Sequence, residues 1–244
     1  MVEDKNSLLF WFPRIKDLGI PYPKTEIVLF SENGSEYIQY IETSNFLPSK
    51  FLEELIDKAK LIGYPLFMRT DYISCKHSFH NYWIPYIKNV YDLARVSNFF
   101  EESINCGFGL PLHAFVLREF LELDYRFKAF SGMPIARERR YFIRDGAVVC
   151  HHAYWPEEAI RFFSEVEEPQ GWQSQLQELN IESQEEVDLL TEYATKVANA
   201  LEGYWSVDFA YGKNGIWYLI DMATGEESWH PDCEFKLTDD PQGS

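Results

Sequence analysis

Several groups of residues in this chain have the types and spacing that could do chemistry. Asp208 and Asp221 lie in two apolar runs, "YWSVDFAY" and "GIWYLIDMA", that share a turn-forming "GKNG". A hairpin of that kind can set two carboxylates side by side. Such a pair suits Mg2+, a hard cation that prefers oxygen and shares its shell with substrate phosphates. Glu226 and Glu227 follow closely and offer further oxygens. The spacing alone equally allows two strand-end acids facing water. Arg137, Arg139 and Arg140 crowd into "ARERRYFIRDG". In a strand, residues 138 and 140 share one face while 137 and 139 share the other. A guanidinium aimed into a cleft would give a transferring phosphoryl group forked, permanent charge. The plainer reading is a solvated charge run balanced by nearby acids.

The run "FMRTDYISCKHSFHNYW" adds Arg69, Asp71, Ser74, Cys75, Lys76, His77 and His80. Cys75, His77 and His80 are zinc-type ligands, but C-x-H-x-x-H matches no common structural zinc spacing and no second half-site follows. "CHH" at 150–152 does not complete it, because neighbouring strand residues point to opposite faces. Nothing marks an acyl-enzyme nucleophile either.

These groups need a scaffold, and the chain has material for one. Its 244 residues, 46% hydrophobic and 17% aromatic, can bury a sizeable core, most simply as one compound domain. A formal net charge of −17 repels nucleic-acid phosphates and anionic membranes. The 4 cysteines, 75, 106, 150 and 233, have no C-x-x-C spacing, which indicates a reducing compartment. No signal-peptide pattern opens the sequence and no apolar run is long enough to span a bilayer, so the expectation is a soluble, cytoplasmic protein.

Periodicity places the elements. "IPYPKTEIVLF" predicts a Pro-punctuated loop and a short strand. "SKFLEELIDKAKLIG" aligns Phe51, Leu52, Leu55, Ile56 and Ala59 on one helical face, capped by Ser49 and stopped by Gly63. "YPLFMR" reads as a buried strand, "VYDLARVSNFFEES" as a helix and "HAFVLREFLEL" as an apolar strand. "YRFKAF", "ERRYFIR" and "AVVCHHAYW" follow as strands, with "SGMP" and "DG" predicting antiparallel neighbours. "PEEAIRFFSEV" is a short helix. In "SQEEVDLLTEYATKVANAL", Ser183 and Glu186 form a capping box, with Val187, Leu190, Ala194, Val197 and Leu201 as the buried stripe. The class is α+β with antiparallel sheets, and there is no Gly-rich phosphate loop.

Taken in order, these pieces resemble the ATP-grasp superfamily from about "LGIPYP" to "WHP". "AKLIGYPLFMRTD" is similar to the helix and strand that deliver a phosphate-binding lysine, with Arg69 in that place. "AFVLREFLEL" resembles the strand entering the adenine hinge, "ERRYFIRDGAVV" the strand bringing an arginine to the phosphates, and "SVDFAYGKNGIWYLIDMATG" the final metal-binding hairpin. "RTDYISCKHSF" with "ARERRYFIRDGAVVCHHAYW" is similar to the arginine-rich branch, marked by two arginines and a lysine. The resemblance implies two α+β subdomains gripping ATP: a truncated N-terminal subdomain over 1–50, a small lid over 51–118, a core with the metal site over 119–236 and a tail over 237–244. It implies Arg69 and Lys76 on the α- and β-phosphates, Glu119, Phe120 and Leu121 at adenine, and Glu122 or Asp124 near the ribose. Arg140 would meet the γ-phosphate, Glu138 would orient neighbouring cations, and Asp208 and Asp221 would bind Mg2+. The family's Glu-x-Asn becomes Asp221-Met222-Ala223 here, so Glu226 or a water would replace a missing ligand.

The implied reaction is an ATP-dependent ligation. A substrate carboxylate attacks the γ-phosphate, Arg140 and Lys76 neutralise the developing charge, and an amine or similar nucleophile captures the acylphosphate. Two other readings share the motifs: an ATP-dependent factor that holds a protein partner without turnover, as in the eukaryotic assembly chaperones for a translation initiation factor, and a ligase modifying RNA or protein ends. A nucleotide-free, degenerate fold is the plainest alternative.

Overall fold

Strand alternation explains how the cleft forms. The computed structural model describes residues 4–31, 48–74, 86–95, 113–163 and 170–231. One four-stranded sheet runs in the order β1 (Thr25–Leu29), β4 (Ala114–Glu119), β2 (Leu66–Thr70), β3 (Tyr86–Ile87). A second runs β10 (Trp217–Thr224), β9 (Tyr204–Tyr211), β7 (Glu138–Arg144), β8 (Ala147–Ala153). A two-stranded ribbon joins β5 (Tyr125–Ala129) to β6 (Met133–Ala136). Every pairing is antiparallel.

In the first sheet, Leu66 and Met68 of β2 and Phe115 and Leu117 of β4 pack beneath α2 (Ser49–Ile62), against its Phe51, Leu55 and Ala59. Period-2 alternation sends Phe67, Arg69, Val116 and Arg118 to the opposite face, towards the second sheet. That sheet buries its other face, including Tyr141, Ile143, Val207 and Phe209, under α1 (Leu8–Ile15) and α5 (Gln184–Ala200). Each Leu, Ile or Phe fully buried there contributes about 1.5–3 kcal/mol over leaving it exposed. The ribbon packs on α3 (Glu157–Phe163) and α4 (Trp172–Asn180) through Phe127, Ile135, Trp155, Trp172 and Leu176.

The capping box holds: Ser183 Oγ accepts from the Glu186 backbone N–H at 3.2 Å. The "DG" hairpin also holds, with Asp145 and Gly146 both at positive φ, the left-handed pair that a tight strand turn requires. Several expectations need correction. The cap position of α2 is Pro48, with no side-chain hydrogen bond, and Ser49 is already helical. "YRFKAF" pairs with Met133–Ala136, a strand hidden in the Pro-containing connector, and not with "ERRYFIR". Val90–Arg95 is a 3-10 helix, and the rest of that predicted helix lies outside the described residues. Helices α1 and α4 are not legible in the sequence; Pro13 inside the first and the glutamine-rich make-up of the second mask their apolar stripes. Among the described residues, no helix is long and apolar enough to cross a membrane.

Candidate functional site

The register of the second sheet gathers the polar residues. Asp221 of β10 lies opposite Asp208 of β9, Asp208 opposite Arg140 of β7, and Arg140 opposite His152 of β8. Directly opposed residues share a face, so these four form a row across the sheet on its cleft side. A bulge makes the first member possible. Leu219 and Asp221 are two apart and would normally share a face, but the register shifts between them at Ile220. Leu219 therefore enters the core while Asp221 turns to the cleft.

Arg140 donates to both oxygens of Asp208, from Nε at 2.7 Å and Nη2 at 2.8 Å, and its guanidinium lies 4.8 Å from the centre of the Tyr154 ring. Burial opposes the charge on Arg140, but Asp208 outweighs it and holds the group above its ordinary range. Across the cleft, Arg69 Nη1 meets Asp221 Oδ1 at 2.8 Å.

Arg118 is the residue that sequence reasoning missed. It is 4% exposed, Nη1 donates to the bulged Ile220 carbonyl, and Nε and Nη2 are buried with no hydrogen-bond partner. Burial, with Arg69 adding like charge, pulls its guanidinium down to about 9, against the pull of Asp221. The available signal was a lone cation inside the apolar strand "AFVLRE".

These groups line a cleft of about 780 Å3, counted out to its mouth, with Phe67, Phe120, Leu121, Leu123 and Met133 forming apolar walls. Arg69, Glu119, Phe120, Leu121, Glu138 and Asp221 all border it. Glu138 is 3% exposed and accepts from Trp155 Nε1 at 3.1 Å, so it is oriented by an indole. Phe120 meets Tyr86 edge to face at 4.6 Å. Glu122 faces an adjoining shallower hollow, and Asp124 is tied to Arg126 at 2.8 Å, so neither borders the main cleft. Lys76 lies outside the described residues, as do Cys75, His77 and His80. The loop that carries them is anchored where it leaves β2. Buried Asp71 accepts from Ser7 Oγ at 2.8 Å and from the backbone N–H groups of His113 and Ala114.

Glu226 is not brought to the aspartates. It is exposed in a 3-10 turn past β10, and among the described residues no three His, Cys, Asp or Glu side chains converge to hold a metal ion. The strand ends too early for Glu226 to reach back, and Ala223 occupies the cleft-facing position two residues after Asp221. The turn instead leads a strap across the lower part of the sheet. Gly225 is required there, because a Cβ would sit 2.4 Å from the Tyr204 ring. The Trp229 carbonyl accepts from Arg140 Nη1 at 3.2 Å, and His230 Nε2 lies 2.9 Å from Cys150 Sγ.

The fold has recognisable relatives. Cdc123 from Schizosaccharomyces pombe, C-terminally truncated, matches at TM-score 0.54 and 11% identity over 92% of this chain and 87% of that one. Biotin carboxylase from Campylobacter jejuni matches at TM-score 0.51 and 17% identity over 87% of this chain but 38% of that one. N5-carboxyaminoimidazole synthase from Aspergillus clavatus, in complex with ADP and 5-aminoimidazole ribonucleotide, matches at TM-score 0.50 and 11% identity, over 90% and 44%. The chain thus spans less than half the length of these two enzymes. No curated protein sequence matches it. Residues 42–239 match the model of the ATP-grasp domain of the two-arginine, one-lysine clade, family 3, and with the sheets and cleft in place the chain belongs to that family.

Proposed function

We propose that the cleft binds Mg-ATP and uses it to join a carboxylate to an amine or similar nucleophile. The observation that carries the nucleotide reading is Arg118: a cation buried in the cleft wall with two unclaimed nitrogens calls for an acceptor-rich, anionic ligand. The remaining residues fit that ligand. Phe120 and Leu121 offer an apolar slot for a base, while Arg69 and Arg140 offer permanent charge to phosphates. Asp208 and Asp221 would hold Mg2+, which needs only one or two carboxylates when phosphates and waters complete its shell. When bound, Mg2+ supplies charge neutralisation to the phosphate oxygens.

In this reading the hinge end of the cleft orients the base, so the phosphates run along the polar row towards Arg140. Arg69, Arg118 and Arg140 spread positive charge over the oxygens as the substrate carboxylate takes the γ-phosphoryl group and ADP leaves. The amine then displaces phosphate from the acylphosphate, leaving an amide, ADP and inorganic phosphate. Glu138, fixed by Trp155, keeps the neighbouring guanidinium groups aligned.

A second reading is a factor that binds ATP to hold a protein partner. It is favoured by Ala223 and by the exposed position of Glu226, which leave two protein carboxylates for the metal. Two measurements decide. Mg-ATP at 100 times its dissociation constant should stabilise the protein by about 2.7 kcal/mol, and Arg69→Ala or Asp221→Asn should reduce that gain. No gain in the wild type sinks both readings. ADP release against pools of carboxylates and amines then separates them: binding without turnover in any pool leaves the partner-holding reading.

A further inference from the structure

His152 ends the polar row on the side away from the hinge, one strand beyond Arg140. Its two ring nitrogens are in different situations. Nδ1 lies 2.7 Å from the Ala153 carbonyl, an acceptor, so Nδ1 carries the proton. Nε2 is then a lone-pair acceptor, and it is buried with no hydrogen-bond partner. Burial is the main reason the imidazole stays neutral, its pKa lowered to about 4, with the charges of Arg140 and His230 acting in the same direction. The Ala153 contact and the charge of Asp208 oppose that shift. The ring cannot tumble freely. Trp229 meets it at 89° with centroids 5.4 Å apart, and Phe142 and His230 flank it at 5.9 and 6.1 Å.

We infer that His152 Nε2 accepts the hydrogen bond of the second substrate, an amine or hydroxyl compound, and orients it beside the phosphoryl group held at Arg140. This rests on the Mg-ATP reading above. Complementary chemistry along the row supports it. The cations and carboxylates at 69, 118, 140, 208 and 221 suit phosphates, a carboxylate and a metal, whereas a neutral lone pair suits an N–H or O–H donor. Trp229 is 51% exposed, so turning one side chain would open Nε2 to such a ligand.

The test uses the full chain saturated with Mg2+ and AMPPNP. Melting temperature is followed with hydroxylamine, ethanolamine, glycerol and the amino acids as donor probes, and with acetate and succinate as donor-free controls. The wild type should gain about 2 °C or more with at least one donor. His152→Phe should lose that gain, while His152→Gln, whose carboxamide oxygen also accepts, should keep part of it. Responses to AMPPNP, acetate and succinate should match in all three proteins. Equal donor responses in the wild type and His152→Phe, or none in the wild type, overturn the inference. Failure of AMPPNP to stabilise the wild type is a separate result that defeats the nucleotide reading. The donor arms run without nucleotide still judge His152, because a gain absent from His152→Phe supports the contact and its absence from the wild type rejects it.

Discussion

Arg139 and Arg118 are both buried on strands, and the chain treats them in opposite ways. Arg139 points to the helix side of β7, where Nε lies 2.6 Å from Glu186 and 3.0 Å from Glu182. Its other nitrogens donate to the carbonyls of Glu138, Leu179 and Ile181, closing the end of α4 and the turn into α5. Arg118 points to the cleft and has two nitrogens that nothing in the described chain claims. A structural arginine is satisfied by its own fold, whereas a ligand-binding one keeps donors unspent. Burial by itself does not separate the two.

The largest expected effect breaks the helix-side arginine. Arg139→Leu removes the principal partner of two partly buried glutamates and the donors of two carbonyls, and should destabilise the protein by about 3–5 kcal/mol in urea unfolding. A loss under about 1 kcal/mol would show that this network is no support for β7. The cleft-side change should behave differently. Arg118→Met removes a buried charge that the fold leaves partly unpaired, so stability should hold or rise. Affinity for Mg-ATP should fall by about 10- to 100-fold, the worth of a charge-assisted hydrogen bond. Calorimetric titration and urea unfolding on one sample give both numbers; a variant that loses stability and keeps affinity would invert the comparison.

Much of this arrangement is legible in the sequence because alternation is a short-range rule. Period-2 reasoning separates Glu138 and Arg140 from Arg137 and Arg139, and it keeps His151 and His152 apart: His151 pairs with Glu182 on the helix side at 3.2 Å. The hairpin that joins Asp208 to Asp221 is visible in its turn and apolar flanks. The bulge at Ile220 is not, since it depends on how β10 meets β9 and β4 in space. Arg118 escapes notice for a similar reason. Its neighbours Val116 and Leu117 mark an ordinary core strand, and only the second sheet, distant in sequence, turns its face into a cleft wall. Closeness in sequence favours Glu226 as a ligand, and the end of β10 defeats it.

His152 and His151 extend the comparison to pH. In the unfolded chain His152 takes up a proton near pH 6.5, while in the folded protein it does so only near 4. The unfolded state therefore binds more protons between those values, and stability falls as pH drops from about 6.5 to 4. Allowing for its partial exposure, this group should contribute about 1–2 kcal/mol to that loss. His152→Phe should flatten the slope by this amount relative to the wild type, measured by urea unfolding at intervals across the range. An unchanged slope would mean that the imidazole is not held neutral by its burial beside Arg140.

The smallest effect tests where the cleft ends. Glu226 is exposed and carries no metal-ligand partner among the described residues, so Glu226→Gln should change Mg-ATP affinity by less than about 0.5 kcal/mol, the usual range for an exposed substitution. Asp208→Asn, by contrast, replaces a carboxylate bonded twice by Arg140 and opposed to Asp221, and should weaken binding by about tenfold or more. Titrating both with Mn2+ in place of Mg2+ adds a signal for the metal itself. If Glu226→Gln proved as damaging as Asp208→Asn, the turn past β10 would have to fold back over the cleft when nucleotide binds, and the metal would then draw on a third carboxylate that the strand register alone does not deliver.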